Sequence, residues 1–181
     1  MKNKENKDKI IILFRHGEKI SDDYPDLSPK GIARSECQPL LFEALGKQYI
    51  PTKIYANIRG KTKISNYSTR AYDTVVPLAK KLGIEIEEFE RDSKEKLKNF
   101  VNNKLLKSEY DVIVVSSSHK VIPIISSFLG HMVEVGGEDG YNKLFIWKNG
   151  EFYKEYKQSE FIGKDIKEWL KKYEDEKNNK K

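Results

Sequence analysis

Cysteine is almost absent from this 181-residue chain, where Cys37 stands alone. One thiol excludes an internal disulfide framework. Within one chain it also excludes a zinc site built from two or more cysteines. Long apolar runs are missing too. The strongest are Ile10-Ile11-Ile12-Leu13-Phe14 and Val112-Ile113-Val114-Val115, far short of the ~20 residues that a membrane helix needs. No apolar signal-peptide segment precedes Arg15, so the expected compartment is the cytoplasm. Histidine and arginine are scarce, at three and five residues against twenty-nine lysines. The rest of the composition, 38% hydrophobic and 34% charged, is that of a solvated globular chain. Its length suits one domain that buries a core without disulfides or metals.

The formal net charge is +6, and its placement decides what it means. Residues 1–9 and residues 171–181 each contribute +2, which leaves +2 for the body. The excess lies in polar ends rich in Lys, Asn and Glu, where it serves solubility. No basic stripe interleaved with aromatics follows a phosphate backbone, so no nucleic-acid partner is expected. The reading is a single domain over 10–173. A flexible basic tail at 1–9 and a flexible charged tail at 174–181 flank it.

Strands and helices alternate along the body. Ile10–Phe14 reads as a buried parallel strand. Ser28-Pro29 supplies a cap and a first-turn proline. Ile32, Ala33, Cys37, Leu40, Leu41, Ala44 and Leu45 then fit one helical face that ends at Gly46. Ile54–Ala56 is a strand, 57–67 a polar loop, and Ser68 or Thr69 opens a helix that Pro77 should kink or divide. Ile84–Phe89 and Val112–Val115 are strands, 93–107 and Val121–Leu129 helices. Lys148-Asn149-Gly150 signals a hairpin between Leu144–Trp147 and Phe152–Tyr156. A last helix covers about 163–173. The expected fold is a three-layer α/β/α sandwich with a mainly parallel central sheet and an antiparallel edge.

Sites in such sheets lie beyond the carboxyl ends of the strands. His16 follows the first strand, in Arg15-His16-Gly17-Glu18. His119 follows the strand 112–115, in Ser116-Ser117-Ser118-His119. Arg70 opens the helix after another strand. Arginine presents a planar fork to phosphate, and a neutral imidazole can attack phosphorus to form a phosphohistidine. The arginines and a second imidazolium would stabilise the charge on the transferring group. This set requires no metal.

The same segments resemble the motifs of the histidine phosphatase superfamily, also called phosphoglycerate mutase-like. Arg15-His16-Gly17-Glu18 resembles the nucleophile motif, and Leu27-Ser28-Pro29-Lys30-Gly31-Ile32-Ala33-Arg34 resembles the helix start that follows it. Ser68-Thr69-Arg70-Ala71-Tyr72-Asp73-Thr74 resembles the "S-x-R-A-x-x-T" segment. Val114-Val115-Ser116-Ser117-Ser118-His119 resembles the strand of the second histidine. The four occur in the family's order over residues 10–147. The resemblance implies a metal-independent phosphatase without a cofactor, in which His16 is phosphorylated. Arg15 and Arg70 would bind the phosphoryl oxygens and His119 would complete the pocket. The substrate would be a phosphorylated small molecule or a phosphoprotein.

Two positions depart from the pattern. Lys19 replaces the small hydroxyl common after Arg-His-Gly-Glu, and reads as a phosphate contact or a solvated charge. The glutamate acid after the third strand has no clear counterpart. Glu88, Glu90 and Asp92 lie in the region, and Glu90 is the candidate general acid. Lys120 after His119 excludes the "His-Asp" acid of the acid-phosphatase branch. The alternatives are a non-catalytic phosphate-binding or protein-interaction module on the same fold, and a phosphomutase. A mutase fits poorly because so short a chain has little insertion sequence to enclose an intermediate. Gly60-Lys61-Thr62 fails as a P-loop because Tyr55 stands where a glycine is needed. Arg34 is read as a helix-surface charge, Arg59 as a loop residue at the pocket rim, His131 as structural or exposed, and Cys37 as buried and inert.

Overall fold

A computed structural model describes residues 7–60 and 68–181. β1 (Ile10–Arg15) is buried along its whole length, as a β-branched run must be when helices cover both faces of a parallel sheet. It pairs in parallel with β4 (Val112–Ser117), so that Leu13 lies opposite Val115 and Arg15 opposite Ser117. On the far side of β4 lies β2 (Lys53–Asn57), followed by the edge strand β3 (Ile86–Phe89), both parallel to it. On the other flank, β5 (Lys143–Lys148) runs antiparallel to β1, and β6 (Glu151–Lys157) antiparallel to β5. The sheet order is β3-β2-β4-β1-β5-β6. The β5–β6 turn places Asn149 at φ 51° and Gly150 at φ 81°, the left-handed pair that a two-residue hairpin requires.

Alternate β1 residues face opposite layers. Ile10, Ile12 and Phe14 pack with residues of α1 (Pro29–Glu36), α2 (Gln38–Leu45), α3 (Arg70–Leu82) and α6 (Ser159–Asn179). Ile11 and Leu13 pack with α4 (Lys94–Phe100) and α5 (Ile122–Phe128). The result is the expected three-layer α/β/α sandwich with an antiparallel edge.

Three element boundaries differ from expectation. The helical face read across 29–45 is two helices, broken at Cys37. Pro39 has no N–H, and its ring excludes the carbonyl four residues earlier. Pro77, in contrast, sits inside an uninterrupted α3, because tertiary packing of Val75, Leu78 and Ala79 into the core outweighs one lost hydrogen bond. α6 begins at Ser159 and continues to Asn179, so most of the charged end expected as a tail is helical. Of the polar loop 57–67, residues 61–67 lie outside the described part of the chain, as do residues 1–6 of the basic tail.

Candidate active site

His16 follows β1 directly, and its backbone N–H donates to Ser117 O at 2.9 Å, which extends the ladder to β4 by one residue. The ring is almost fully buried, at 3% exposure. Nδ1 lies 2.7 Å from Gly17 O. Only a protonated Nδ1 can donate to that carbonyl, so Nε2 keeps its lone pair. Burial pushes the His16 pKa down to about 3, and the positive charges of Arg70, Arg15 and His119 act in the same direction. The ring is therefore a neutral imidazole with a free nucleophilic nitrogen.

The loop that carries it is held from three sides. Gly17 N donates to Thr74 Oγ1 at 2.8 Å, and Thr74 Oγ1 donates to Arg70 O at 2.7 Å. A Cβ on Gly31 would meet Glu18 O at 2.3 Å, and one on Gly17 would meet Gly31 O at 2.9 Å. Two glycines thus let α1 approach the loop at backbone distance. The Glu18 carboxylate accepts from Arg34 Nη2 at 2.6 Å and from Nε at 3.0 Å. Arg34 Nη1 donates to Gln158 Oε1 at 3.1 Å, which ties the pair to the start of α6. Arg34 is thus not a surface charge on its helix. It is buried, and with Glu18 it braces the loop that carries His16.

The five arginines divide by partner. Arg34 pairs with Glu18, and Arg59 with Glu88 at 2.8 Å while lying 3.7 Å over the Tyr72 ring. Arg15, Arg70 and Arg91 have no carboxylate in ion-pair contact among the described residues. Arg15 is buried, and its Nη1 donates to Val135 O at 3.1 Å and Gly137 O at 3.0 Å. Its Nη2 donates to Tyr141 Oη at 3.1 Å, and the guanidinium lies 3.9 Å from the Tyr141 ring centre. Arg70 donates from Nη1 to Tyr24 O. Buried Nε atoms of Arg15 and Arg70 have no acceptor among the described residues. Desolvation lowers the pKa of both arginines, and the Arg70 charge lowers that of Arg15 further. A buried Arg15 and a half-buried Arg70, each with a spare donor, suit an oxyanion.

His119 lies beyond β4 and is half-buried. Desolvation lowers its pKa, with Arg15, Lys19 and Lys120 adding to the effect and Asp22 opposing it. The charges of Arg70, Arg15 and His119 thus all reach His16, and that of Arg15 reaches His119. The candidate acid is held in an ion pair. Glu90 is held by Lys96 on an exposed surface, and Asp92 lies 3.2 Å from the same ammonium. Glu88 is taken up by Arg59. Lys19 pairs with Asp22. His131 is exposed and stacks on Phe152 at 3.9 Å. Cys37 is buried, which pushes its thiol up to about 11. Among the described residues no group of three or more His, Cys, Asp or Glu is placed to hold a metal ion.

Arg91 and Tyr141 carry no role in the sequence reading, and Thr74 enters it only as the end of the segment 68–74. Arg91 was legible: it is one of only five arginines, and it follows a parallel strand as His16 and His119 do. Tyr141 had no such signal. It reaches the site on a short 3-10 turn, Glu138–Asn142, that precedes the antiparallel edge.

No family model and no curated protein matches the sequence. Solved structures do. An Escherichia coli K-12 protein assigned as an alpha-ribazole-5'-P phosphatase superposes with a TM-score of 0.56 at 12% identity, over 80% of this chain and 93% of that one. An Agrobacterium tumefaciens protein assigned as the phosphohistidine phosphatase SixA gives 0.52 at 15%, over 82% and 97%. The mycobacterial glucosyl-3-phosphoglycerate phosphatase Rv2419c, in complex with VO3, gives 0.50 at 13%, over 82% and 97%. The fold of this chain is the phosphoglycerate mutase-like arrangement that it shares with these structures.

Proposed function

We propose that this protein is a metal-independent phosphatase, acting in the cytoplasm on a phosphate monoester or phosphoprotein through a covalent phosphohistidine at His16. One observation carries the reading: a buried, neutral His16 with Nδ1 committed to Gly17 O and Nε2 free, beside guanidinium groups that no carboxylate among the described residues neutralises. The superposition on a phosphatase holding VO3 gives further support. No helix among the described residues is long and apolar enough to cross a membrane.

The substrate phosphoryl group docks with its oxygens on Arg15, Arg70 and His119. His16 Nε2 attacks phosphorus as the bond to the leaving oxygen breaks, and the arginines hold the charge on the equatorial oxygens. The leaving oxygen takes its proton from water. A second water then attacks phosphorus and the N–P bond breaks, which restores neutral His16 and releases inorganic phosphate. Because Glu90 is bound to Lys96, this scheme assigns it no part, and leaving groups of low basicity react best.

Hydrolysis of 4-nitrophenyl phosphate with excess chelator tests the reading. Wild type should turn over, and His16→Ala should lose at least about a thousandfold. Equal rates in the two proteins contradict it. Binding of inorganic phosphate without turnover of any ester would favour a non-catalytic anion-binding module.

A further inference from the structure

The phosphohistidine chemistry leaves one buried cation unused. Arg91 is 4% exposed, and its Nε and Nη2 have no acceptor among the described residues. The carboxylates adjacent to it in sequence are engaged elsewhere, Glu90 and Asp92 by Lys96 and Glu88 by Arg59. A guanidinium kept out of water without an anion is costly, and such sites are filled when a ligand supplies the anion.

Its position separates it from the scissile phosphate. Arg91 follows β3, and the order β3-β2-β4-β1 puts three strand spacings between β3 and the strand that carries His16. At ~4.8 Å per spacing the two chain segments stand ~14 Å apart across the sheet. Arg70 opens α3, the helix that packs on β3 and on the two strands, β2 and β4, that separate β3 from β1. Its charge acts on His16, on Arg15 and on Arg91. The charges acting on His16 are those of Arg70, Arg15 and His119. Arg70 is therefore within electrostatic reach of both the His16–Arg15 pair and Arg91.

We infer that Arg91 forms a second anion subsite on the β3 side of Arg70, so that the substrate carries a second negatively charged oxyanion group on its leaving portion. This rests on the phosphatase reading for the identity of the first anion. Arginine suits the role because its fork presents two parallel donors to carboxylate or phosphate alike. The leaving portion would then be oriented by charge, with no need of an acid to recognise it.

Matched aryl phosphates supply the test. Phenyl phosphate and its ortho-, meta- and para-carboxy derivatives differ by one carboxylate at three distances. In wild type, kcat/KM for at least one carboxylated isomer should exceed that for phenyl phosphate by about tenfold, the worth of one charge-assisted hydrogen-bonded pair. In Arg91→Gln that ratio should fall to about one, whatever happens to the phenyl phosphate rate. No preference in wild type, or the same preference in Arg91→Gln, overturns the inference. Calorimetry separates this outcome from a failure of the phosphatase reading. Even without turnover, pyrophosphate should bind wild type about tenfold more tightly than orthophosphate, and Arg91→Gln should lose the difference. Arg91→Met guards against misfolding: it should melt at or above the wild-type temperature, because it removes an unpaired buried charge. A lower melting temperature would mark Arg91 as structural and contradict the subsite.

Discussion

Gly17 and Thr74 are joined by a hydrogen bond of 2.8 Å from the Gly17 backbone N–H to Thr74 Oγ1. The same hydroxyl donates to Arg70 O. One side chain of α3 thus links the loop of the proposed nucleophile to the residue that opens the helix and would bind the phosphoryl group. Thr74→Val keeps the shape and removes the acceptor. An unsatisfied buried N–H costs about 1–3 kcal/mol, and each kcal/mol lowers the melting temperature of a chain this size by ~2–4 °C. Thermal melts should show that drop, with kcat on an aryl phosphate falling about tenfold. Thr74→Ser should restore both.

Gly31 carries the closest approach between α1 and the His16 loop. Its added Cβ would meet Glu18 O at 2.3 Å, and backbone on both sides leaves nothing flexible to move. Gly31→Ala should destabilise by about 1–3 kcal/mol, the range for overpacking a close contact. It should also cut kcat, because relief of the clash moves residues 16–18. Unchanged denaturation and unchanged kcat in this variant would mean that the loop does not depend on the approach.

Glu18 and Arg34 form a buried, multiply bonded pair. Removing one partner strands the other in a dry site. Arg34→Met should cost about 3–5 kcal/mol, while replacing both partners with apolar groups of similar volume should recover most of the loss. Urea denaturation of the single and double variants reads this directly. A single variant as stable as wild type would refute the bracing role.

Protonation of His16 is opposed in the folded state, whose pKa is about 3 against the ordinary 6.5. Below pH 6.5 the unfolded chain binds a proton that the folded chain refuses. Stability therefore falls as pH drops from about 6.5 toward about 3, and is fully retained above the unfolded value. His16→Gln should lose less stability than wild type between pH 7 and pH 4.5, as measured by urea midpoints. Parallel losses would show that His16 titrates normally. The same shift predicts that phosphoryl transfer to the enzyme persists at pH 5, where an unperturbed histidine would be mostly protonated.

The fold was legible because each chemical motif came with local structural signals. The apolar run 10–14, the Ser28-Pro29 start and the Asn149-Gly150 turn all agree with the elements that form. Arg15, His16, Arg70 and His119 stand out as candidates on similar grounds, since strand ends in parallel sheets collect function. What escaped depended on tertiary placement. Whether Pro39 or Pro77 interrupts a helix is decided by packing, and the sequence carries both alike. Arg34 reads as one more charge on an amphipathic helix until Glu18 is folded against it. Glu90 and Arg91 are neighbours, and only the fold decides that the acid faces Lys96 at the surface while the arginine is buried.

The central claim is a covalent phosphoryl group on His16 Nε2. Wild type mixed with 4-nitrophenyl phosphate and quenched in alkali within milliseconds should yield a phosphorylated peptide that contains His16, labile to acid and chased by further substrate. Nitrophenol should appear in a burst matching one equivalent of enzyme if dephosphorylation limits turnover. Turnover with no phosphoenzyme at any quench time, or phosphate recovered on a residue other than His16, would contradict the mechanism.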